Sequence, residues 1–156
     1  MTLRELRKNK GITQKEAAKF IGMPLRTYSN YETDASKQAS IKYEYIMSKL
    51  HTYGYVDEEN GVLSIDEIRS ICVGILSEYP IDYCYLFGSY AKGKATPTSD
   101  IDLFISTSVT GIKFFELVEE LRDALKKRVD VLHQKQITNN FELANEILKD
   151  GIKIYG

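Results

Sequence analysis

Two acids interrupt one apolar run: Asp100 and Asp102 in Asp-Ile-Asp-Leu-Phe-Ile-Ser. Strand interiors rarely hold carboxylates, so their chemistry needs a reason. In a strand, residues i and i+2 share a face, so the two carboxylates project together while Ile101 and Leu103 point the other way. Close carboxylates repel unless a proton or a cation stands between them, and paired hard oxygens on a rigid element suit Mg²⁺. A third acid, Asp130, stands between Val129 and Val131 in a setting of the same kind. Three strand-borne carboxylates that converge have the geometry to hold two metal ions for an in-line phosphoryl or nucleotidyl transfer.

Gly88-Ser89 follows the apolar run Tyr85-Leu86-Phe87. A glycine lets backbone approach a phosphate closely, the next residues can start a short helix whose free N–H groups face an anion, and the Ser89 hydroxyl can donate to a phosphate oxygen. Lys92 and Lys94 lie in the loop before the aspartates, where a cation could balance phosphate charge; for Lys92 a solvated side chain is the plainer reading.

The elements that must position these residues are legible from residue 64 onward. Ser64 with Glu67 is a capping box, followed by Ile65, Ile68, Ile71, Cys72, Ile75 and Leu76 at helical spacing up to Pro80. Ile-Asp-Tyr-Cys-Tyr-Leu-Phe reads as a strand broken by Gly88, the two aspartates sit in a second strand, and residues 111–128 form a long amphipathic helix. Val-Asp-Val-Leu-His is a third strand, residues 140–151 a final helix stopped by Gly151, and Ile-Lys-Ile-Tyr a short fourth strand. Strands alternating with helices indicate a mixed sheet with helices packed against it.

Charge divides the chain. Residues 1–50 carry ten Lys/Arg against five acids, a net +5, and the remainder eleven against seventeen, a net −6. Two differently charged halves suggest two modules with different partners, the positive one suited to a polyanion. Gly54, Asn60 and Gly61 punctuate the polar stretch between them, which sets domains of 1–56 and 63–156.

In the first module, Leu3 and Leu6 suit a short helix ended by Gly11. Thr13-Gln14-Lys15-Glu16 is a second capping box, with Ala17, Ala18, Phe20 and Ile21 as the buried face and Gly22 as the stop. Pro24 begins a further helix that directs Leu25, Tyr28 and Tyr31 inward and exposes Arg26, Thr27, Ser29 and Asn30. Such side chains read base edges and phosphates when a helix lies in a DNA major groove, and Gln14 at a helix start is placed to meet a phosphate. Small helical modules also serve as protein docking domains, and the residues alone leave that open.

Cys72 and Cys84 form no CxxC and have no His beside them, so they read as buried free thiols; His51 and His133 are too isolated for a metal site. No stretch approaches the roughly 18 apolar residues of a membrane span and the N-terminus has no apolar signal core, so no membrane role and a cytoplasmic location are expected.

Two resemblances carry these readings further. Residues 12–32, within a stretch of roughly 2 to 50, resemble the helix-turn-helix of the Cro/repressor-like family, which implies that the helix from Leu25 is the recognition helix and that residues 40–50 form another helix. Thr33-Asp34 stands where that family commonly has Arg-Gly, so the following loop is expected to be altered. Gly-Ser, ten residues, then Asp-x-Asp resembles the signature of the DNA polymerase β-like nucleotidyltransferases, specifically the minimal MNT-type proteins that pair with HEPN-domain toxins.

This resemblance implies an α+β chain: an all-α helix-turn-helix domain followed by a small polymerase β-like domain of mixed sheet and packed helices. It implies Asp100 and Asp102 on two Mg²⁺ ions, Asp130 completing one metal site and activating the attacking hydroxyl, and Gly88, Ser89, Lys94 and Ser99 on the nucleotide. The implied function is an antitoxin that moves AMP from ATP to a hydroxyl, expected to be a tyrosine, of a HEPN ribonuclease toxin, with operator DNA as a second partner. A repeated DNA half-site would need dimerisation; a homo-oligomer and a hetero-oligomer with the toxin both stay open. Nucleotidylation of an aminoglycoside-type small molecule, or a non-catalytic repressor that sequesters its partner, are the alternatives.

Overall fold

Thr2, Thr13 and Ser64 each open a helix by the same device. The hydroxyl accepts the backbone N–H of Glu5, Glu16 or Glu67, and that glutamate's carboxylate accepts the cap residue's own N–H. Each reciprocal pair satisfies two backbone donors that a helix start otherwise leaves unpaired, a stabilisation of about 1 kcal/mol. The computed structural model describes residues 1–156, which form two compact units, Met1–Tyr55 and Val56–Gly156.

The first unit is four helices: α1 (Leu3–Asn9), α2 (Gln14–Ile21), α3 (Leu25–Thr33) and α4 (Ile41–His51). Gly22 ends α2 in the left-handed region at φ 86°, where a side chain would be strained. Leu3, Leu6, Ala17, Ala18, Tyr28, Tyr43, Ile46 and Leu50 make the core. Leu25 does not face inward as its spacing suggests; it is 47% exposed at the first position of α3, and the fully buried Tyr28 fills the inward direction instead. The loop expected to be altered forms one 3₁₀ turn over Ala35–Lys37, with the Asp34 carboxylate accepting from the Ser36 N–H and hydroxyl.

A buried carboxylate sits inside this unit. The Glu32 side chain has no exposed surface, and it accepts from Arg7 Nε at 2.5 Å, Gln14 Nε2 at 2.7 Å and the Tyr28 hydroxyl at 3.0 Å. Burial alone would raise its pKa, but the Arg7, Gln14 and Tyr28 donors outweigh that and hold it below the usual carboxylate value.

In the second unit, α5 (Ile65–Leu76) leads into β1 (Ile81–Phe87), α6 (Gly88–Ala91), β2 (Ile101–Thr107), α7 (Ile112–Leu125), β3 (Val129–His133), α8 (Gln134–Ile137), α9 (Phe141–Asp150) and β4 (Ile152–Tyr155). The sheet order is β3-β2-β1-β4, with β1 antiparallel to both neighbours and β2 parallel to β3. The pleat sorts β2 in two. Ile101, Leu103 and Ile105 join Cys84, Leu86, Ile68, Cys72, Leu76, Leu117, Leu121 and Leu125 in the main core under α5 and α7. On the other face Phe104, Phe87 and Ile147 form a smaller cluster, with Tyr85, Leu132, Ile137 and Leu143 packed against it.

The helix expected to run to Arg128 stops at Leu125. Lys126 turns left-handed at φ 57°, which drives Lys127 into the protein with 1% of its surface exposed. Its ammonium donates to three carbonyls, of Asn60 at 3.0 Å, Gly61 at 2.5 Å and Pro97 at 2.7 Å, so every N–H of a buried cation has an acceptor. The stretch after Tyr55, which reads as punctuation between domains, is thereby tied to the second unit. Cys72 and Cys84 are buried free thiols, and burial pushes the Cys72 thiol up to about 12. No helix is long and apolar enough to cross a membrane.

Candidate active site

The site starts where β1 ends. Gly88 takes φ 72°, a conformation open to glycine and costly for other residues, and a Cβ on it would stand 3.0 Å from Asp102 Cγ and overlap the carboxylate oxygen Oδ2. Gly88 is therefore required twice, by its backbone and by its neighbour. From it α6 begins, anchored by the buried Tyr90, and the Lys94 N–H returns to the Ser89 carbonyl at 2.9 Å. Ser89 is half-buried, whereas Lys94 is exposed. Ser99 closes the turn before the aspartates: its hydroxyl accepts from the Thr96 N–H at 2.8 Å, and its own N–H donates to the Thr96 carbonyl at 3.0 Å.

Register then aligns the acids. Phe87 of β1 lies opposite Asp102 of β2, which lies opposite Asp130 of β3. Adjacent strands are about 4.8 Å apart, so Asp102 and Asp130 are immediate neighbours in the ladder. Asp100 is not in the strand. The ladder begins at Ile101, whose N–H donates to the Arg128 carbonyl at 2.9 Å, and Asp100 stands one residue ahead with Oδ1 3.5 Å from Arg128 Nε. That pair is half exposed on both sides and stabilises by less than about 1 kcal/mol.

Burial first, and then the charges of Asp130, Asp100 and Glu146, push the Asp102 carboxyl up to about 6; Lys92 opposes them. Asp102 is thus a carboxylate that gains from any cation nearby. No three His, Cys, Asp or Glu side chains are gathered into a closed ligand set. The donors nonetheless fit a hard divalent ion, because all are carboxylate oxygens and the central one is held short of positive charge. Asp102 and Asp130 are the pair that would hold it, and Asp100 would join by leaving Arg128.

Three participants escape a reading by motif. Lys127 and Arg128 lie in what reads as a helix end, and Glu146 is 54 residues from the Lys92 it pairs with at 2.8 Å. Only Lys92 carried a signal, its place in the loop between Gly-Ser and the aspartates.

On α3, Arg26 and Asn30 are exposed and Thr27 and Ser29 half-buried, so the polar face of that helix is open. Gln14, half-buried at the start of α2, donates one amide N–H to Glu32 Oε2 at 2.7 Å, which leaves its second N–H as the donor for a phosphate.

Gly-Ser at the end of one strand and an acid of Asp-x-Asp directly across the ladder mark a domain that transfers nucleotidyl groups. The family model for polymerase beta nucleotidyltransferases matches residues 71–156, more than half of the chain, and the chain belongs to that family. A helix-turn-helix model matches residues 3–45.

Among relatives, a candidate protein adenylyltransferase of Methanocaldococcus jannaschii, MJ0435, is 33% identical over 93 residues, covering 58% of this chain and 91% of the relative. The protein adenylyltransferase MntA of Thermococcus cleftensis is 27% identical over 100 residues, 60% of this chain and 99% of that one. A solved structure of a candidate minimal nucleotidyltransferase shares the fold, with a TM-score of 0.50, 21% identity, and 60% of this chain and 98% of that chain covered.

Proposed function

We propose that this protein is an MNT-type antitoxin that transfers AMP from ATP to a hydroxyl, a tyrosine by preference, of a HEPN-domain toxin, and that its helix-turn-helix binds operator DNA. The observation that carries the reading is the row Gly88–Asp102–Asp130, in which a glycine fit for a phosphate abuts the central carboxylate of a pair. The adenylyltransferase relatives support the choice of AMP and of a protein acceptor.

In this mechanism Gly88 and Ser89 hold the triphosphate by backbone N–H and hydroxyl, and Lys94 and Ser99 line its loop. Asp102 and Asp130, with Asp100, would hold two Mg²⁺ ions. Bound there, Mg²⁺ supplies neutralisation of triphosphate charge and a lowered pKa for the acceptor hydroxyl. Asp130 takes the hydroxyl proton as the acceptor oxygen bonds to the α-phosphorus; the bond from that phosphorus to the bridging oxygen breaks, and pyrophosphate leaves. Fixing both reactants in line accounts for much of the rate. On DNA, Arg26, Thr27, Ser29 and Asn30 face the major groove.

The test is to incubate the protein with ATP labelled at the α-phosphate, Mg²⁺ and the HEPN-type product of its neighbouring gene. Label should appear on the partner, and Asp100→Ala/Asp102→Ala should abolish it. Unlabelled partner with the wild-type protein overturns the proposal.

A further inference from the structure

The ion pair between Lys92 and Glu146 joins two elements that meet beside the carboxylates. Lys92 follows α6, and its backbone N–H donates to the Gly88 carbonyl at 3.1 Å, which puts it one turn from the glycine against Asp102. Glu146 lies on α9 next to Ile147, which packs with Phe87 and Phe104. Those two aromatics flank Asp102, one opposite it in the ladder and the other two residues along the same face. The Lys92 ammonium is 2.8 Å from Glu146 Oε1, with the two side chains 36% and 33% exposed. The charges of both reach Asp102, Lys92 favouring its ionised form and Glu146 opposing it. Asp150, one turn further along α9, also acts on Lys92.

We propose that Glu146 is a gate on the nucleotide site, holding Lys92 in the nucleotide-free protein and yielding it to the triphosphate. This rests on the nucleotide reading above. A triphosphate arriving at Gly88 meets a lysine within one turn and a carboxylate beside it. The polyanion is the stronger partner for Lys92, because charge-assisted bonds to phosphate outweigh a partly exposed single ion pair. Partial exposure also lets the exchange proceed through solvated intermediates, without stranding a buried charge. Glu146 thus acts on the nucleotide through Lys92: it occupies the ammonium in the free protein, and each nucleotide must displace it. Lys92, which reads in sequence as a plain solvated lysine, becomes a specificity element for triphosphate over monophosphate.

The experiment is a double-mutant cycle on the full chain, with binding of AMP-PNP in the presence of Mg²⁺ measured by calorimetry. Glu146→Gln should tighten binding about threefold to fivefold, the range expected when a competing, partly exposed ion pair is removed. Lys92→Gln should weaken it, and adding Glu146→Gln to Lys92→Gln should give no further gain. Glu142→Gln, an equal charge change on the same helix, should leave affinity unchanged. Glu146→Gln should also lower the melting temperature slightly, because the tie between α6 and α9 is lost. A purely structural Glu146 would weaken binding on mutation, and a mere field effect would persist without Lys92; either result overturns the gate. Wild-type protein that fails to bind AMP-PNP overturns the nucleotide reading and the gate together, whereas binding without coupling overturns the gate alone.

Discussion

Gly88 is packed so closely on Asp102 that a single methyl group on its Cα would overlap the carboxylate. The first residue of α6 and the one acid of β2 are therefore in direct contact, with no room for a side chain between them. Gly88→Ala should cost about 1–2 kcal/mol from its left-handed backbone alone. It should lower AMP transfer at least about a hundredfold, because displacement of a reacting group by an ångström has effects of that order. Melting curves and label transfer on the same preparation check both; an active Gly88→Ala would show that Asp102 has no need of its position.

Asp102 makes stability depend on pH with a definite sign. Its folded carboxyl, raised by burial and then by Asp130 and Asp100, lies at about 6 against an ordinary 3.8. The folded state holds the proton more tightly, so the ionised group costs stability progressively between those values and by a constant amount above them. Asp102→Asn should thus be more stable than wild type at pH 7.5 by about 1 kcal/mol after allowing for partial exposure, or about 4 °C. The difference should vanish near pH 3.5. Added Mg²⁺ should raise the melting temperature of wild type and not of the variant. A variant less stable at pH 7.5 would mean the carboxylate already has a favourable partner.

Glu32 has the opposite sign. Its lowered pKa adds stability to the helix-turn-helix that is present at neutral pH and lost as pH falls below the ordinary 4.5. Glu32→Gln should destabilise this unit by about 3 kcal/mol, since it leaves the nearly buried Arg7 without a counter-charge. The variant should lack the acid-dependent loss, which thermal melts from pH 3 to 7 would reveal.

Stability separates residues that share one surface in the sequence. Arg26→Ala and Asn30→Ala should weaken binding to the promoter fragment without lowering the melting temperature. Gln14→Ala should lower stability by about 1 kcal/mol through the lost bond to Glu32. The second amide N–H of Gln14 is free for a phosphate, so Gln14→Ala should also weaken binding at a temperature well below the transition; unchanged binding there would confine Gln14 to its bond with Glu32.

Lys127→Met should destabilise the second unit by about 2–3 kcal/mol, because three carbonyls lose a charged donor. Pro97 lies in the loop that leads to Asp100, so catalysis should fall further than stability alone explains. Denaturant titration and single-turnover transfer separate the two effects.

The residue types alone determined a good deal. Capping boxes at Thr13 and Ser64, glycines at 22 and 88, and alternation through β1 and β2 are local instructions, satisfied within a few residues by backbone chemistry, and they make both helices and strands readable. The spacing of Gly-Ser and Asp-x-Asp likewise lies in one contiguous stretch. What the fold alone decided spans distance. Asp130 sits opposite Asp102 because β2 and β3 pair in one register, and no local pattern specifies a register between strands so far apart in the chain. Glu32 is buried because three donors converge on it, Lys127 turns inward because Lys126 ends its helix left-handed, and Glu146 reaches Lys92 across 54 residues. Charged side chains read as solvated wherever their partners are remote, since burial of a charge is favourable only once those partners are assembled around it.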